Sequence, residues 1–255
     1  MSGPLKVWIE AQGRLLRLSL SRPKANLIDA AMIAALDAAL SEHLANPGVG
    51  AVVLDAEGPH FSFGASVEEH LPAQCAAMLH SLHRLIRRMV EAPVPILVAA
   101  RGQCLGGGLE VALAGHLLFV AADAALGQPE MKLGVFAPAA SCLLPERIGP
   151  QRALDLLVSG RSVTGAQAVA MGLADEAASD PTQAAIAYFD EHLKPKSGSS
   201  LRYAVKAARL DYVARVTAKL DAVERLYLDE LMSTHDAVEG LEAFIGKRAA
   251  QWTHR

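Results

Sequence analysis

Cysteine is scarce and unpaired in this chain: Cys75, Cys104 and Cys142 are odd in number, far apart and in no Cys-x-x-Cys spacing. That argues against a disulfide framework and a zinc knuckle, and leaves three small buried hydrophobes in a reducing compartment. Aromatic residues make up only 5%, and neither sign of charge dominates: 24 Lys and Arg against 27 Asp and Glu give a formal net charge of -3. Extended contact with a nucleic-acid backbone needs concentrated positive charge, so that class of function loses ground. Long apolar runs are missing too. Arg101, Glu110, His116 and Asp123 interrupt the candidates before they reach the roughly 20 residues that span a bilayer. The first residues lack the basic leader, apolar stretch and small-residue cleavage site of an export signal, so a cytoplasmic location without a membrane partner is expected.

What the chain does have is 255 residues at 52% hydrophobic content, enough to bury a real core. Residues 6–20 alternate apolar and polar on either side of Gln12-Gly13, which reads as two strands and a turn. Asp29 is a plausible cap for a helix with Ile33, Leu36, Leu40 and Leu44 on one face, ending before Asn46-Pro47-Gly48. A strand at 51–54, a helix at 74–90, a strand at 94–100, a glycine-rich loop at 102–107, a helix at 108–114 and a strand at 117–121 follow. Strands alternating with helices imply an α/β core. Gly149-Pro150 opens a helix containing Leu154, Leu157 and Val158, and Thr164 caps another that ends at Gly172. The polar, turn-rich segment 194–200 divides the chain into a core at 1–195 and a helical region at 196–255. In that region Leu201, Val205, Ala208 and Val213 share a long helix, and Asp236-x-x-Glu239 resembles a capping box.

Chemistry concentrates between Arg101 and Gly134. Gly106-Gly107-Gly108, between a buried strand and a helix, lets backbone approach a ligand, and the helix start presents unpaired N–H groups to developing negative charge. A tight turn explains the same glycines. The register is neither a dinucleotide fingerprint nor a P-loop, so hydride and phosphoryl transfer lose ground. Glu110 falls in the first turn of that helix, where its own macrodipole favours a carboxylate. Glu130 follows Gln128-Pro129 and could simply begin another helix. Together the two acids supply what reversible hydration of an activated double bond requires, one to deprotonate water and one to move a proton. The loop Pro59 to Val67 follows a buried strand and could bring another N–H.

The blocks HFSFGAS, GQCLGGGLEVALAG, GQPEMKLG and DAVEGLEAFIGKR, in this order, resemble the crotonase, or enoyl-CoA hydratase/isomerase, superfamily. The resemblance implies a crotonase-like spiral of ββα units with a C-terminal helical trimerisation region, assembled as a homotrimer or dimer of trimers. It implies an acyl-CoA substrate, with CoA entering as part of the thioester, and no other cofactor or metal. By family position the thioester oxygen is held by the backbone N–H groups of Phe63 and Gly107, Glu110 mainly activates water and Glu130 mainly delivers the proton. Ser62, Gly64, Ala65, Ser66 and Pro138 fall in the acyl-binding blocks. Lys24 and Lys247 match regions that contact the nucleotide end of CoA, Lys247 across a subunit interface; a solvated surface lysine is the plain alternative for each.

The chain departs from the common family pattern at Phe63, at Ser66 and at 135–141, where proline replaces glycine and Pro138 has no amide to offer. The phrases FSFGASVEEHLP and LGVFAPAAS are similar to family members that hydrate a cyclic dienoyl thioester, whose flat ring suits Phe63 and Phe136. Ordinary 2-enoyl-CoA hydration or isomerisation stands as the second reading. A non-catalytic RNA-binding or assembly role, resting on a strip of Arg84, Arg87 and Arg88, stands as the third.

Overall fold

The computed structural model describes residues 3–255; Met1 and Ser2, at the start of the segment read for an export signal, lie outside the described residues. The chain opens with an antiparallel hairpin of β1 (Leu5–Glu10) and β2 (Leu15–Leu20), turned at Gln12 and Gly13, both with positive φ. Asp29 then caps α1 (Ala30–Leu44), its carboxylate accepting the Met32 N–H at 2.9 Å. Next come β3 (Ala51–Ala56), α2 (Pro72–Val90), β4 (Ile96–Ala100), β5 (Gln103–Leu105), α3 (Gly107–Ala114), β6 (Leu117–Val120) and β7 (Ala125–Gly127). A 3-10 turn at Pro129–Leu133 leads to α4 (Pro138–Ile148), α5 (Pro150–Ser159), β8 (Ser162–Thr164), α6 (Gly165–Met171) and β9 (Glu176–Ala177). The remainder is α7 (Pro181–Tyr188), α8 (Gly198–Arg225) and α9 (His235–Ile245).

Six strands form one sheet in the order β1-β2-β3-β4-β6-β9, parallel throughout except for the hairpin. Its central strands are covered on both faces, which is why they read as near-continuous apolar runs. The main core lies between this sheet and α1, α2 and α3; Phe119, Ala185 and Phe189 belong to a smaller cluster that packs α7 on the opposite face. β5, β7 and β8 make a second sheet of three short strands.

The path is a spiral. Three times the chain crosses the large sheet, steps into the small one and returns through helical structure: β3, Ser62 and α2; β4, β5 and α3; β6, β7 and the 3-10 turn into α4. Ser62 joins the small sheet by bridging Cys104.

Several elements differ from the sequence reading. β5 is a three-residue strand inside a stretch expected to be a loop, and β7, equally short, lies where the sequence reading placed no element; both are too short for a period-two signal. α4 hides behind two prolines. Pro138 sits at its first position, where no N–H is needed. Pro145 lies in its interior, and the Ser141 carbonyl that Pro145 cannot serve accepts from Lys219 Nζ at 2.7 Å instead. Asp236 and Glu239 do not form a capping box: Thr234 caps α9, accepting from the Ala237 N–H at 3.3 Å. The two carboxylates instead hold the segment that follows, accepting from the N–H groups of Thr253 at 2.8 Å, His254 at 2.7 Å and Gln251 at 2.8 Å. No described helix is long and apolar enough to cross a membrane.

α9 lies against the 3-10 turn so closely that a Cβ at Gly240 would meet the Leu133 carbonyl at 2.1 Å. Gly240→Ala should therefore force α9 off the turn and lower stability by about 1–3 kcal/mol, read as a drop in the thermal unfolding midpoint.

Candidate active site

The spiral stacks three chain segments at one end of the small sheet. The Ser62 N–H donates to the Gln103 carbonyl at 2.9 Å, the Leu105 N–H to the Ser62 carbonyl at 3.0 Å, and the Gly106 N–H to the Gly127 carbonyl at 3.0 Å. These bonds bring Gly64-Ala65, Gly106-Gly107 and Gln128-Glu130 to the edge of one cleft of about 470 Å³. Its walls include Leu79 and Leu82 of α2, Val135, Phe136 and Pro138 before and at the start of α4, and Leu241 and Phe244 of α9.

Glycine is required where the segments touch. Gly106 has φ +51°, and a Cβ there would lie 2.8 Å from Glu130 Oε1. Gly64 has φ +111°, and a Cβ there would press on the Leu105 carbonyl at 3.2 Å.

Glu110 and Glu130 both line this cleft. Glu110 is buried, and its Oε1 accepts the Ala140 N–H at 2.9 Å. A second amide, that of Ala139, also favours its ionised form, so this carboxylate sits on the N-terminus of α4 as well as in the first turn of α3. Burial outweighs the amides and holds its pKa above the usual carboxylate range. Burial and the charge of Glu110 push Glu130 up as well. With its carboxamide nitrogen turned to the acid, the buried Gln128 donates to both Glu130 oxygens at 3.1 Å.

The amide pair differs from expectation at one position. The Phe63 N–H is committed to the Ala25 carbonyl at 2.9 Å and so has nothing to donate to a ligand. Phe63 instead sets its half-exposed ring edge-on to His60. The N–H that is free and faces Gly107 is that of Ala65, two residues on; a Cβ at Gly107 would come within 3.1 Å of the Ala65 nitrogen. The Gly107 N–H, at the start of α3, is likewise without a partner.

Other expected contacts divide cleanly. Gly64, Ala65 and Pro138 line the cleft. Ser62 does not: it is fully buried, packs against Gly108 and accepts the Gly64 N–H on its hydroxyl at 3.1 Å, bracing the turn from behind. Ser66 turns its hydroxyl to Glu68 at 2.9 Å. Lys24 and Lys247 are exposed and outside the lining, Lys24 next to Ala25 and Lys247 within one turn of Phe244. The α9 that leads to Lys247 lies along the cleft of its own chain. Sequence reasoning missed Gln128, whose only signal was its place beside Pro129-Glu130, and His70, which lines the cleft with its Nδ1 bonded to the Ser66 carbonyl at 2.7 Å. Among the described residues, no group of three His, Cys, Asp or Glu side chains is placed to hold a metal ion. All three cysteines are free and buried, and burial raises each thiol pKa.

A family model described as enoyl-CoA hydratase/isomerase matches residues 10–255. The chain is 66% identical to a cyclohexa-1,5-dienecarbonyl-CoA hydratase of Thauera aromatica, over 100% of this chain and 98% of that one. It is 31% identical to a probable enoyl-CoA hydratase of Bacillus subtilis, over 92% and 93% of the two chains. Among solved structures, an enoyl-CoA hydratase from Mycobacterium avium subsp. paratuberculosis superposes with a TM-score of 0.85 at 22% identity, covering 98% of each chain, which speaks to the fold alone. By the family match and by these identities along its whole length, the chain belongs to the enoyl-CoA hydratase/isomerase family.

Proposed function

We propose that this protein adds water to a conjugated cyclic dienoyl-CoA, converting cyclohexa-1,5-diene-1-carbonyl-CoA to 6-hydroxycyclohex-1-ene-1-carbonyl-CoA in the breakdown of benzoyl-CoA. The observation that carries the reading is the meeting of two acids, the buried Glu110 and the half-buried Glu130, with two free amides in one apolar cleft, in a chain 66% identical to a hydratase of that name.

The thioester oxygen accepts hydrogen bonds from the Ala65 and Gly107 N–H groups, which stabilise the negative charge that forms there as water attacks. Glu110, held by the amides at the start of α4, takes the proton from water as its oxygen bonds to the ring carbon β to the carbonyl. The charge spreads over the thioester oxygen and along the diene. Glu130, kept protonated by burial and by its neighbour, gives its proton to the far end of the former diene. One double bond remains, between the carbon that carries the thioester and its ring neighbour on the side away from the new hydroxyl, and passage of the proton from Glu110 to Glu130 restores the starting state. Phe136 and the aliphatic wall fit a flat ring better than an extended polar chain. Lys24 and Lys247 would meet CoA phosphates as point charges near the mouth. A homotrimer or dimer of trimers, cytoplasmic, completes the reading, with no metal or redox group.

The RNA-binding alternative loses its main support. Arg84 and Arg88 both pair with Asp37, and Arg87 with Asp221, so the supposed basic strip is largely neutralised.

Purified protein should turn over the cyclic dienoyl-CoA in clear preference to crotonyl-CoA, and in deuterated water the product should carry deuterium at the far carbon by NMR. The opposite preference would assign the chain to ordinary 2-enoyl-CoA hydration. Glu110→Gln and Glu130→Gln should each lower kcat by about 10²–10⁴ while KM for the acyl-CoA moves only a few-fold in steady-state assays.

Stability should also report Glu130. Because the fold raises the pKa of Glu130, the native state keeps a proton that the unfolded chain has already released. Native stability therefore falls as pH rises from the ordinary carboxylate range towards neutrality. Glu130→Gln removes that loss, so its unfolding midpoint should exceed that of the wild type by a margin that grows between about pH 5 and about pH 8.

A further inference from the structure

Phe136 lines the cleft, and its ring meets the ring of Tyr227 edge-on at 5.2 Å. Tyr227 is 0% exposed and takes no part in the lining, so it stands behind Phe136, on the side away from the cavity. It sits in a wide π-helical turn, Leu226–Glu230, that continues α8, and it belongs to the main core. A ring wedged between a cavity and a close-packed interior moves only if that interior moves with it.

The backbone under Phe136 has little slack either. Val135 and Ala137 are buried on both sides of it, and Pro138 starts α4. The Val135 N–H donates to the Glu130 carbonyl at 3.3 Å, and the Ala140 N–H donates to Glu110 Oε1 at 2.9 Å. The segment that carries the ring is thus tied at one end to the residue of one acid and at the other to the carboxylate of the second. Those ties fix the ring relative to the reacting carbons.

Phe136 also lies on the inner side of the cleft. Phe63, 44% exposed, and Phe244, 56% exposed, mark the mouth, whereas Leu79 and Leu82 are buried and mark the floor. Burial first, then the charges of Cys75, Glu130 and Glu110, raise the pKa of the Tyr227 phenol, which sets both acids on the same inner side as the braced ring. A thioester held by the Ala65 and Gly107 amides therefore directs its acyl group past the acids and towards Phe136. A six-membered ring reaches no deeper than a straight acyl chain of five carbons, counted from the thioester carbon to the opposite ring carbon. We propose that Phe136, held by Tyr227, is the stop that sets the depth of the acyl pocket, accepting the reach of one six-membered ring and turning away longer straight chains. A longer chain has to displace two packed rings, the cost of an overfilled core. Phe136 determines specificity and Tyr227 positions it. The inference rests on an acyl-CoA entering this cleft and deepens the cyclic-substrate reading, since it gives the physical reason that fatty chains are excluded.

The test is calorimetric binding of butanoyl-, hexanoyl- and octanoyl-CoA, which are saturated, cannot be hydrated and so report the pocket alone. The wild type should bind octanoyl-CoA no more tightly than butanoyl-CoA. Phe136→Ala should bind octanoyl-CoA about tenfold more tightly than the wild type does, because each methylene newly taken from water gains about fourfold. The space is of a known kind: dry apolar cavities of about 150 Å³, opened by truncating a core side chain, take in benzene. Butanoyl-CoA should change by less than about threefold, since it ends short of the stop. Phe136→Leu, a milder change, should shift the preference the same way but less, and so should Tyr227→Leu, which leaves Phe136 in place without its brace. A wild type whose affinity keeps rising through octanoyl-CoA, or Phe136 variants that keep the wild-type length profile, would overturn the proposal. Failure of the hydration reading looks different: the wild type would then leave the cyclic dienoyl-CoA unhydrated, whatever its length profile.

Discussion

The functional end of this molecule depends on the backbone ladder that ties successive turns of the spiral together. Three N–H to carbonyl bonds, from Ser62, Leu105 and Gly106, lock residues from three distant parts of the chain into one edge. None of these segments could hold its position alone, since strands of three residues or a single bridge have little stability outside a sheet. Stacked, they present a turn, a helix start and an acid in sequence, so the site is a by-product of how the coil closes on itself.

A polar site of this kind must be set against the cost of burying charge. Glu110 is accommodated because α4 begins with a residue that has no N–H and then offers two that do, so the proline read as a loss of hydrogen bonding stands beside the amides that hold the acid. Glu130 receives less help and a neighbouring negative charge, and Gln128 is the side chain placed to temper it. The inequality between the two carboxyls thus originates in main-chain geometry more than in the residues themselves, which are chemically identical.

Much of the architecture was legible in the sequence where a pattern is long enough to carry a period. The caps at Asp29 and Thr164, the amphipathic face of α1 and the existence of α2 follow from spacing alone. What was not legible is short or indirect. β5 and β7 have too few residues for alternation to register. α4 is written with prolines and alanines, and only a lysine from α8 makes its interior proline tolerable. At the site, the acids could be read from motif and order. The choice between the amides of Phe63 and Ala65 could not, because it turns on whether the Ala25 carbonyl, some forty residues earlier, has already claimed one of them. Main-chain hydrogen bonds of that kind leave no trace in residue type.

The wall formed by α9 has a temporal consequence. Leu241 and Phe244 close the cleft, and α9 is itself fastened by residues 251–254, with Trp252 resting against Gly134 and Gly240. Both acids and both amides are synthesised more than a hundred residues before that fastening exists. On the ribosome the half that carries the two acids therefore waits, open on one side, until residues 251–254 have emerged to hold α9 against the cleft.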